Sequence, residues 1–173
     1  MRLAGMMIAV ALLIPAGAAA QDVSVDFDKT FDFSKLKTFS IKWNATPGNP
    51  LAERRVIAEV QEELTGKGWK TAPEATADAV VVLNGATQTK HSINTFYSGG
   101  YGGYRWGGMG TGTTTVYEYT VGTLVVDIFD AKSKNLVFRG NATDELSKNP
   151  DKNMKKVDKA TDKMFKNFPP TKK

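Results

Sequence analysis

The chain has 173 residues, a net charge of +5 and no cysteine. This length suits one domain, and the lack of cysteine excludes disulfides, thiol nucleophiles, thiolate metal sites and the lipidated cysteine of a bacterial lipoprotein. From Lys148 to the end of the chain there are nine lysines against three aspartates. The basic character is therefore concentrated in the C-terminal segment.

The first twenty residues have the composition of a signal peptide. Arg2 precedes a short apolar run, and Ala18 and Ala20 fit the A-x-A cleavage pattern. The apolar run is too short to span a membrane comfortably, and nothing later in the chain is apolar enough to do so. We expect removal of residues 1–20, after which residues 21–173 form one exported α+β domain. An uncleaved anchor helix is the alternative.

Hydrophobic alternation and helix-capping signals outline the beginning and end of this domain. Val23–Phe27 and Thr38–Trp43 alternate apolar and polar residues, which predicts two strands. Asn49-Pro50 begins a helix, because asparagine caps a helix and proline at the first helical position loses no hydrogen bond. Asn149-Pro150 begins the last helix in the same way, and Pro169-Pro170 ends it.

The middle of the chain contains the longest strands. Ala79–Gln88 begins with a continuous apolar run, which indicates a central strand buried on both faces. Tyr117–Asp130 and Leu136–Gly140 flank a short polar connection, which predicts a hairpin. A one-residue bulge at Gly122 would place two sets of apolar residues on one face: Tyr117, Tyr119 and Val121, then Leu124, Val126 and Ile128. We expect an α+β fold with a mostly antiparallel sheet of about five strands and two helices packed on one face.

Residues 98–112 form a Gly/aromatic-rich stretch between two strands. The stretch has no phosphate-binding glycine motif and does not precede a helix, which argues against a nucleotide site. One interpretation is a flexible hairpin loop. The other is a contact surface for sugar rings, bases or a partner protein, formed by Tyr97, Tyr101, Tyr104, Arg105 and Trp106.

The last helix carries a one-sided row of lysines. At about 100° per residue, six lysines fall within one arc of the helix: Lys152, Lys155, Lys156, Lys159, Lys163 and Lys166. Three aspartates form a row beside them, and the apolar residues take the opposite side. Two interpretations stay open, an ordinary solvated face and a basic patch for an anionic envelope polymer or lipid head groups. Export disfavours nucleic acid as the ligand.

The polar residues that could support catalysis form no recognisable motif. His91 has no orienting partner or nucleophile in a sequence motif. The spacing of Asp127 and Asp130 fits no Ca²⁺ loop, and we expect Asp130 to begin the hairpin turn and Asp127 to lie on the polar face of its strand. We therefore predict no catalytic residue, no cofactor and no metal. A hydrolase acting on an envelope polymer is the alternative.

Several short motifs follow one another along nearly the whole domain: Asp32-Phe33-Ser34, Lys37-Thr38-Phe39, Lys67-Gly68-Trp69, Gly122 to Asp127, Asp130-Ala131-Lys132, Leu136 to Gly140, and Asn167-Phe168-Pro169-Pro170. In this order they resemble a bacterial family of envelope proteins known only as domain of unknown function 4136. Many members resemble lipoproteins with a cysteine at the signal junction, where this chain has Gln21. The resemblance implies a place in the periplasm or cell envelope and brings no activity. We expect a non-enzymatic protein that binds or scaffolds an anionic polymer, lipid head groups or an envelope protein.

Overall fold

The computed structural model of this chain describes residues 21–97 and 112–170. The predicted signal peptide lies outside these residues, as does the predicted loop apart from Gly112. Six strands, two α-helices and a short 3₁₀ turn follow one another in the described part: β1 (Asp22–Phe27), the turn (Phe33–Lys35), β2 (Thr38–Ala45), α1 (Pro50–Gly66), β3 (Lys70–Thr71), β4 (Ala79–Tyr97), β5 (Gly112–Asp130), β6 (Leu136–Leu146) and α2 (Pro150–Phe165).

Within the described residues, the strands form one mixed sheet in the order β1-β6-β5-β4-β2-β3. The α+β class is confirmed, but the expected five-stranded, mostly antiparallel sheet was wrong. Strand β2 pairs in parallel with both β3 and β4, because α1 carries the chain back to the end of the sheet where β2 began. The additional strand, β3, has two residues, which is too short to give an alternating pattern.

Both helices begin at the predicted Asn-Pro pairs. The side chain of Asn49 accepts hydrogen bonds from two backbone N–H groups of the first turn of α1, and Asn149 does the same for α2. Val60 and Leu64 of α1 are fully buried. They share one apolar core with Phe165 of α2 and with the sheet residues beneath. The two helices therefore cover the same face of the sheet.

Phe168 completes this core just beyond the end of α2. Its side chain is 4% exposed, and its ring centroid lies 5.0–5.7 Å from those of four other aromatic residues: Phe33, Trp69, Phe138 and Phe165. All four contacts have an edge-to-face or steeply inclined geometry, which aromatic quadrupoles favour. Phe168 thereby connects the 3₁₀ turn, the segment after α1, strand β6 and α2.

The predicted bulge at Gly122 was wrong. Gly122 pairs with Thr87 of β4 and with Asp144 of β6 without interruption, and the register shift on β5 falls between Ile128 and Phe129 instead. A Cβ atom at position 122 would lie 2.8 Å from Cδ2 of Leu146. Glycine at this position thus provides the space that Leu146 occupies. The side chains of β5 continue to alternate between the two faces of the sheet through Gly122.

The uninterrupted register separates the two apolar sets of β5. Val126 and Ile128 are fully buried beneath the helices, as predicted, and Leu124 packs at the edge of the same core. Tyr117 and Val121 lie on the opposite face, because side chains alternate along a strand. We call this opposite side the open face of the sheet, since both helices lie on the other side.

Strands β4 and β5 extend well beyond the remainder of the sheet. Strand β2 pairs with β4 only as far as Asn84, and β6 pairs with β5 only from Thr120 onward. Residues 90–97 and 112–119 consequently pair with each other alone among the described residues. We call these two segments the β4–β5 ribbon.

None of the helices in the described part of the chain is long and apolar enough to cross a membrane.

Candidate functional site

Helix α2 presents five of the six predicted lysines to solvent. All five are exposed: Lys152, Lys155, Lys159, Lys163 and Lys166. The opposite side of the helix is buried through Ala160, Thr161, Met164 and Phe165, as the sequence pattern predicted. Because that side is fixed in the core, the five lysines project from one surface. We call these five residues the lysine patch.

Lys156 does not belong to the lysine patch. Its Nζ atom donates to Oδ1 of Asp144 at 2.9 Å and to the carbonyl oxygen of Glu145 at 2.6 Å. These bonds hold α2 against β6, and they leave Lys156 half-buried. The helical-wheel projection could not reveal this, because it contains no information about the strand that lies beside the helix.

Gln21, the first described residue, also contacts α2. Its Nε2 atom donates to the carbonyl oxygen of Lys156 at 2.7 Å, and Lys163 donates from Nζ to Oε1 of Gln21 at 3.3 Å. The beginning of the domain therefore lies beside the lysine patch. No sequence signal indicated this contact, because it joins residues that are more than 130 positions apart in the chain.

An acidic groove separates α1 from α2 along one edge of the lysine patch. Glu59, Glu62 and Glu63 line it from α1, and Asp158 and Asp162 line it from α2. Burial raises the pKa of Glu59 and Glu63, and the neighbouring carboxylates raise both pKa values further. Lys155 and Lys67 also border the groove. The carboxylates weaken the positive field of the lysine patch on this side.

The second predicted contact surface is described only at its edge. Tyr97 is the last residue of β4, and Tyr101, Tyr104, Arg105 and Trp106 lie outside the described residues. The β4–β5 ribbon that leads to this segment carries exposed apolar side chains on both faces: Ile93 at 66%, Val116 at 56% and Tyr117 at 56% exposure.

The residues considered for catalysis lie at different positions along strands β4 and β5, and they do not pair with one another. His91 lies on the ribbon, with Nδ1 3.3 Å from Oε1 of Glu118, and both side chains are largely exposed. Asp130 begins the β5–β6 turn, as predicted, by accepting hydrogen bonds from the backbone N–H and hydroxyl of Ser133. The pKa of Asp130 is lowered mainly by that hydroxyl. No cluster of three or more metal-ligating side chains occurs among residues 21–97 and 112–170.

Asp127 lies on the open face of the sheet and is paired with Arg139. Arg139 donates from Nε to Oδ1 of Asp127 at 2.6 Å and from Nη2 to Oδ2 at 2.8 Å. The side chain of Asp127 is 5% exposed, whereas that of Arg139 is 52% exposed. The carboxylate was correctly placed on the polar face, but its pairing with the next strand was not predicted.

The Asp127–Arg139 pair forms part of a shallow pocket that the sequence interpretation missed. We call it the sheet pocket, and it is lined mainly by polar residues of four strands: Ser24, Asp26, Asn84, Val125, Arg139 and Asn141. The available signal was the position of Asn84, Arg139 and Asn141 on the polar side of their strands. These residues could be recognised as one pocket only with the order of the strands, which the sequence did not provide.

The fold and these surfaces define an α+β protein whose two helices cover one face of a mixed sheet. The chain belongs to the family described as domain of unknown function DUF4136, whose model matches residues 23–170. A DUF4136 protein from Bacteroides thetaiotaomicron has a similar structure, with a TM-score of 0.55 and 14% identity over 86% of this chain and 96% of that chain.

Two further solved structures are similar to this chain. A PDZ domain protein from Parabacteroides distasonis matches with a TM-score of 0.53 and 17% identity; the alignment covers 88% of this chain, which spans 37% of that protein. PelC from Paraburkholderia phytofirmans matches with a TM-score of 0.46 and 14% identity over 84% of this chain and 92% of that chain. Among curated proteins, none matches the sequence significantly.

Proposed function

We propose that this chain is a non-enzymatic protein, exported to the periplasm or cell envelope, that binds or scaffolds an anionic envelope component. The lysine patch is the proposed binding surface, and the component is an anionic polymer or the head groups of anionic lipids. The observation that carries the proposal is the exposure of five lysines on one side of α2, while the opposite side is fixed in the core.

The physical basis is a set of weak attractions that add together. A lysine close to an anionic membrane surface contributes about 1 kcal/mol, and this contribution decreases over one Debye length. Because α2 is anchored through Met164 and Phe165, all five lysines can approach one surface without a change in the helix. The carboxylates of the acidic groove reduce the total attraction. Binding should be strongly dependent on salt because ions screen the attraction between the lysines and the anionic surface.

Vesicle binding tests this proposal directly. The mature chain should bind mixed vesicles of phosphatidylglycerol and phosphatidylcholine at low salt and should dissociate from them as salt rises. It should not bind vesicles of phosphatidylcholine alone. Substitution of Lys155, Lys159 and Lys163 by glutamine should remove most of the binding. Each of these side chains is exposed, so the fold should be unchanged, and circular dichroism can verify this.

A charge-matched variant separates the lysine patch from net charge. Lys29, Lys90 and Lys132 are also exposed, but they lie in the β1–3₁₀ connection, the ribbon and the β5–β6 turn. Their substitution by glutamine removes the same charge and should leave most of the vesicle binding intact. Equal loss in both triple variants, or no binding by the parent protein, would contradict the proposal. The Gly/aromatic-rich stretch would then become the better candidate surface.

The absence of catalysis and the export of the chain need separate measurements. Turnover of an envelope polymer that is lost in Asp127→Asn or His91→Gln would establish the hydrolase alternative. For export, N-terminal sequencing of the mature protein should begin at Gln21 or within a few residues of it. A full-length cytoplasmic product would contradict export, and it would leave the vesicle-binding result unaffected.

A further inference from the structure

We propose that the sheet pocket is a second binding site, and that it takes a neutral, hydroxyl-rich saccharide. The pocket lies on the open face of the sheet, and the lysine patch lies on α2 at the other side of the domain. The two sites therefore use different surfaces and different chemistry. The argument rests on the register of four strands, on the hydrogen bonds that orient the polar groups, and on their charge balance.

The strand register places the polar groups in two adjacent rows. Ser24 pairs with Asn141, Asn141 with Val125, and Val125 with Asn84. In the next row, Arg139 pairs with both Asp26 and Asp127. Neighbouring strands are about 4.8 Å apart, so Asn141 and Asn84 lie about 10 Å apart in the first row. An extended oligosaccharide can reach both amides while it crosses the strands.

Arg139 supplies a fixed set of donors at the centre of the pocket. Its Nε and one Nη2 hydrogen are used by Asp127, and the guanidinium group carries five N–H groups in total. In the part of the chain that the structure describes, the remaining N–H groups donate to no protein acceptor. Because Asp127 is buried and holds Arg139 through two bonds, binding requires little ordering of the guanidinium, which favours affinity.

The two asparagines supply donors and acceptors on either side of Val125. Asn44 donates from Nδ2 to Oδ1 of Asn84 at 2.8 Å, which orients the Asn84 amide. Within the described residues, the NH₂ group of Asn84 itself has no acceptor. The side chain of Asn141 has no hydrogen-bond partner among residues 21–97 and 112–170, so its oxygen and its NH₂ group are both open. Val125 provides a small apolar area between them, which suits the C–H surface of a sugar ring.

The charge balance selects the class of ligand. Arg139 and Asp127 neutralise each other, and Asp26 leaves the pocket with a net charge of −1, which disfavours anions. No group of three metal-ligating side chains is present in the described part of the chain. A hydroxyl group both donates and accepts, so a neutral ligand rich in hydroxyls matches a mixture of amide, guanidinium and carboxylate groups.

Nuclear magnetic resonance of the mature chain tests the site with three neutral probes: maltohexaose, cellopentaose and chitohexaose. Binding of at least one probe should shift the side-chain resonances of Asn84 and Asn141 and the Nε–H resonance of Arg139. The affinity should be insensitive to salt, in contrast to binding at the lysine patch. Asn84→Ala and Asn141→Ala should each weaken binding by about three- to tenfold. The control Asn167→Ala, at an exposed position beyond α2, should have no effect.

Several results would overturn the proposal. These are the absence of any shift with all three probes at millimolar concentration, shifts confined to α2, binding that decreases with salt, and unchanged affinity in both asparagine variants. Because the shifts are mapped on the parent protein, the test does not depend on the stability of the variants. The lysine triple variant should bind the saccharide normally, so failure of the proposed lysine-patch function and failure of the sheet pocket are distinguishable.

Discussion

Asp78 and Thr38 bind each other where β4 and β2 begin. Oδ2 of Asp78 accepts hydrogen bonds from the backbone N–H of Thr38 at 2.9 Å and from its hydroxyl at 2.8 Å. In return, the backbone N–H of Asp78 donates to Oγ1 of Thr38 at 3.0 Å. The same carboxylate oxygen accepts from the backbone N–H of Lys37 at 3.0 Å. This reciprocal contact fixes the start of the parallel β2–β4 pair.

Removal of the Asp78 carboxylate should therefore destabilise the whole domain. Asp78→Ala leaves partly buried donors without an acceptor, and we expect a loss of about 1–3 kcal/mol in the free energy of unfolding, measured by urea denaturation. Glu74→Ala is the control, because Glu74 forms an exposed ion pair with Lys42, and such a pair is worth about 0–1 kcal/mol. Equal losses in the two variants would mean that the Asp78 contact has no special role.

The contribution of Asp78 should also decrease in acid. The hydroxyl of Thr38 is the largest cause of a lowered pKa of Asp78, followed by the backbone N–H groups. A group with a lowered pKa in the folded state stabilises the fold above its unfolded pKa, and this stabilisation is lost as pH falls through the folded pKa. The difference in stability between the parent protein and Asp78→Asn should thus shrink below about pH 4. A constant difference from pH 7 to pH 3 would contradict this assignment.

Local signals in the sequence predicted the parts of the fold that depend on neighbouring residues. Asn49 and Asn149 cap their helices as expected, because capping involves only the first helical turn. The burial of Val126 and Ile128 followed from simple alternation along β5. These features need no knowledge of the strands that lie beside them.

Features that depend on distant residues were not predictable in this way. Gly122 is needed because Leu146 of the adjacent strand packs against it. Lys156 lies outside the lysine patch because its Nζ atom donates to Asp144 of β6. The sheet pocket requires four strands in one register. A single sequence specifies which side of each element is polar, but it does not specify which polar sides meet.

Phe168 should be the most important single side chain in the aromatic part of the core. It contacts rings from four separate parts of the chain, so its removal leaves a cavity that no one element can fill. We expect Phe168→Ala to lower the free energy of unfolding by about 3–5 kcal/mol, measured by thermal or urea denaturation. Asn167→Ala, at an exposed neighbouring position, should change it by less than about 0.5 kcal/mol. A small effect of Phe168→Ala would mean that the surrounding rings collapse into the space.

The acidic groove should make the helix pair more stable in mild acid. Burial is the largest cause of the raised pKa of Glu63, followed by its hydrogen bond with Asp162 and the charge of that carboxylate; Lys67 opposes the shift. Glu59 is raised by burial and by Asp158, Glu62 and Asp162. Because its pKa is raised, Glu63 binds a proton more readily in the folded protein than in the unfolded chain. Stability should consequently rise as pH falls from neutral through the folded pKa of Glu63 towards its unfolded value, and it should fall again only where groups with lowered pKa values, such as Asp78, become protonated.

Glu63→Gln should remove most of this dependence on pH. The uncharged amide relieves the repulsion with Asp162, so the variant should be more stable than the parent protein at pH 7, by about 0.2–0.5 kcal/mol. The two proteins should converge as the pH falls through the folded pKa of Glu63, because protonation removes the same charge from the parent protein. Glu53→Gln is the control on the same helix, since Glu53 lies in the first turn of α1, where a negative charge is favourable, and its removal should not stabilise the fold. Urea midpoints measured from pH 7 to pH 5 decide the matter, and a Glu63→Gln variant that is less stable than the parent protein at pH 7 would show that the ionised carboxylate holds the two helices together.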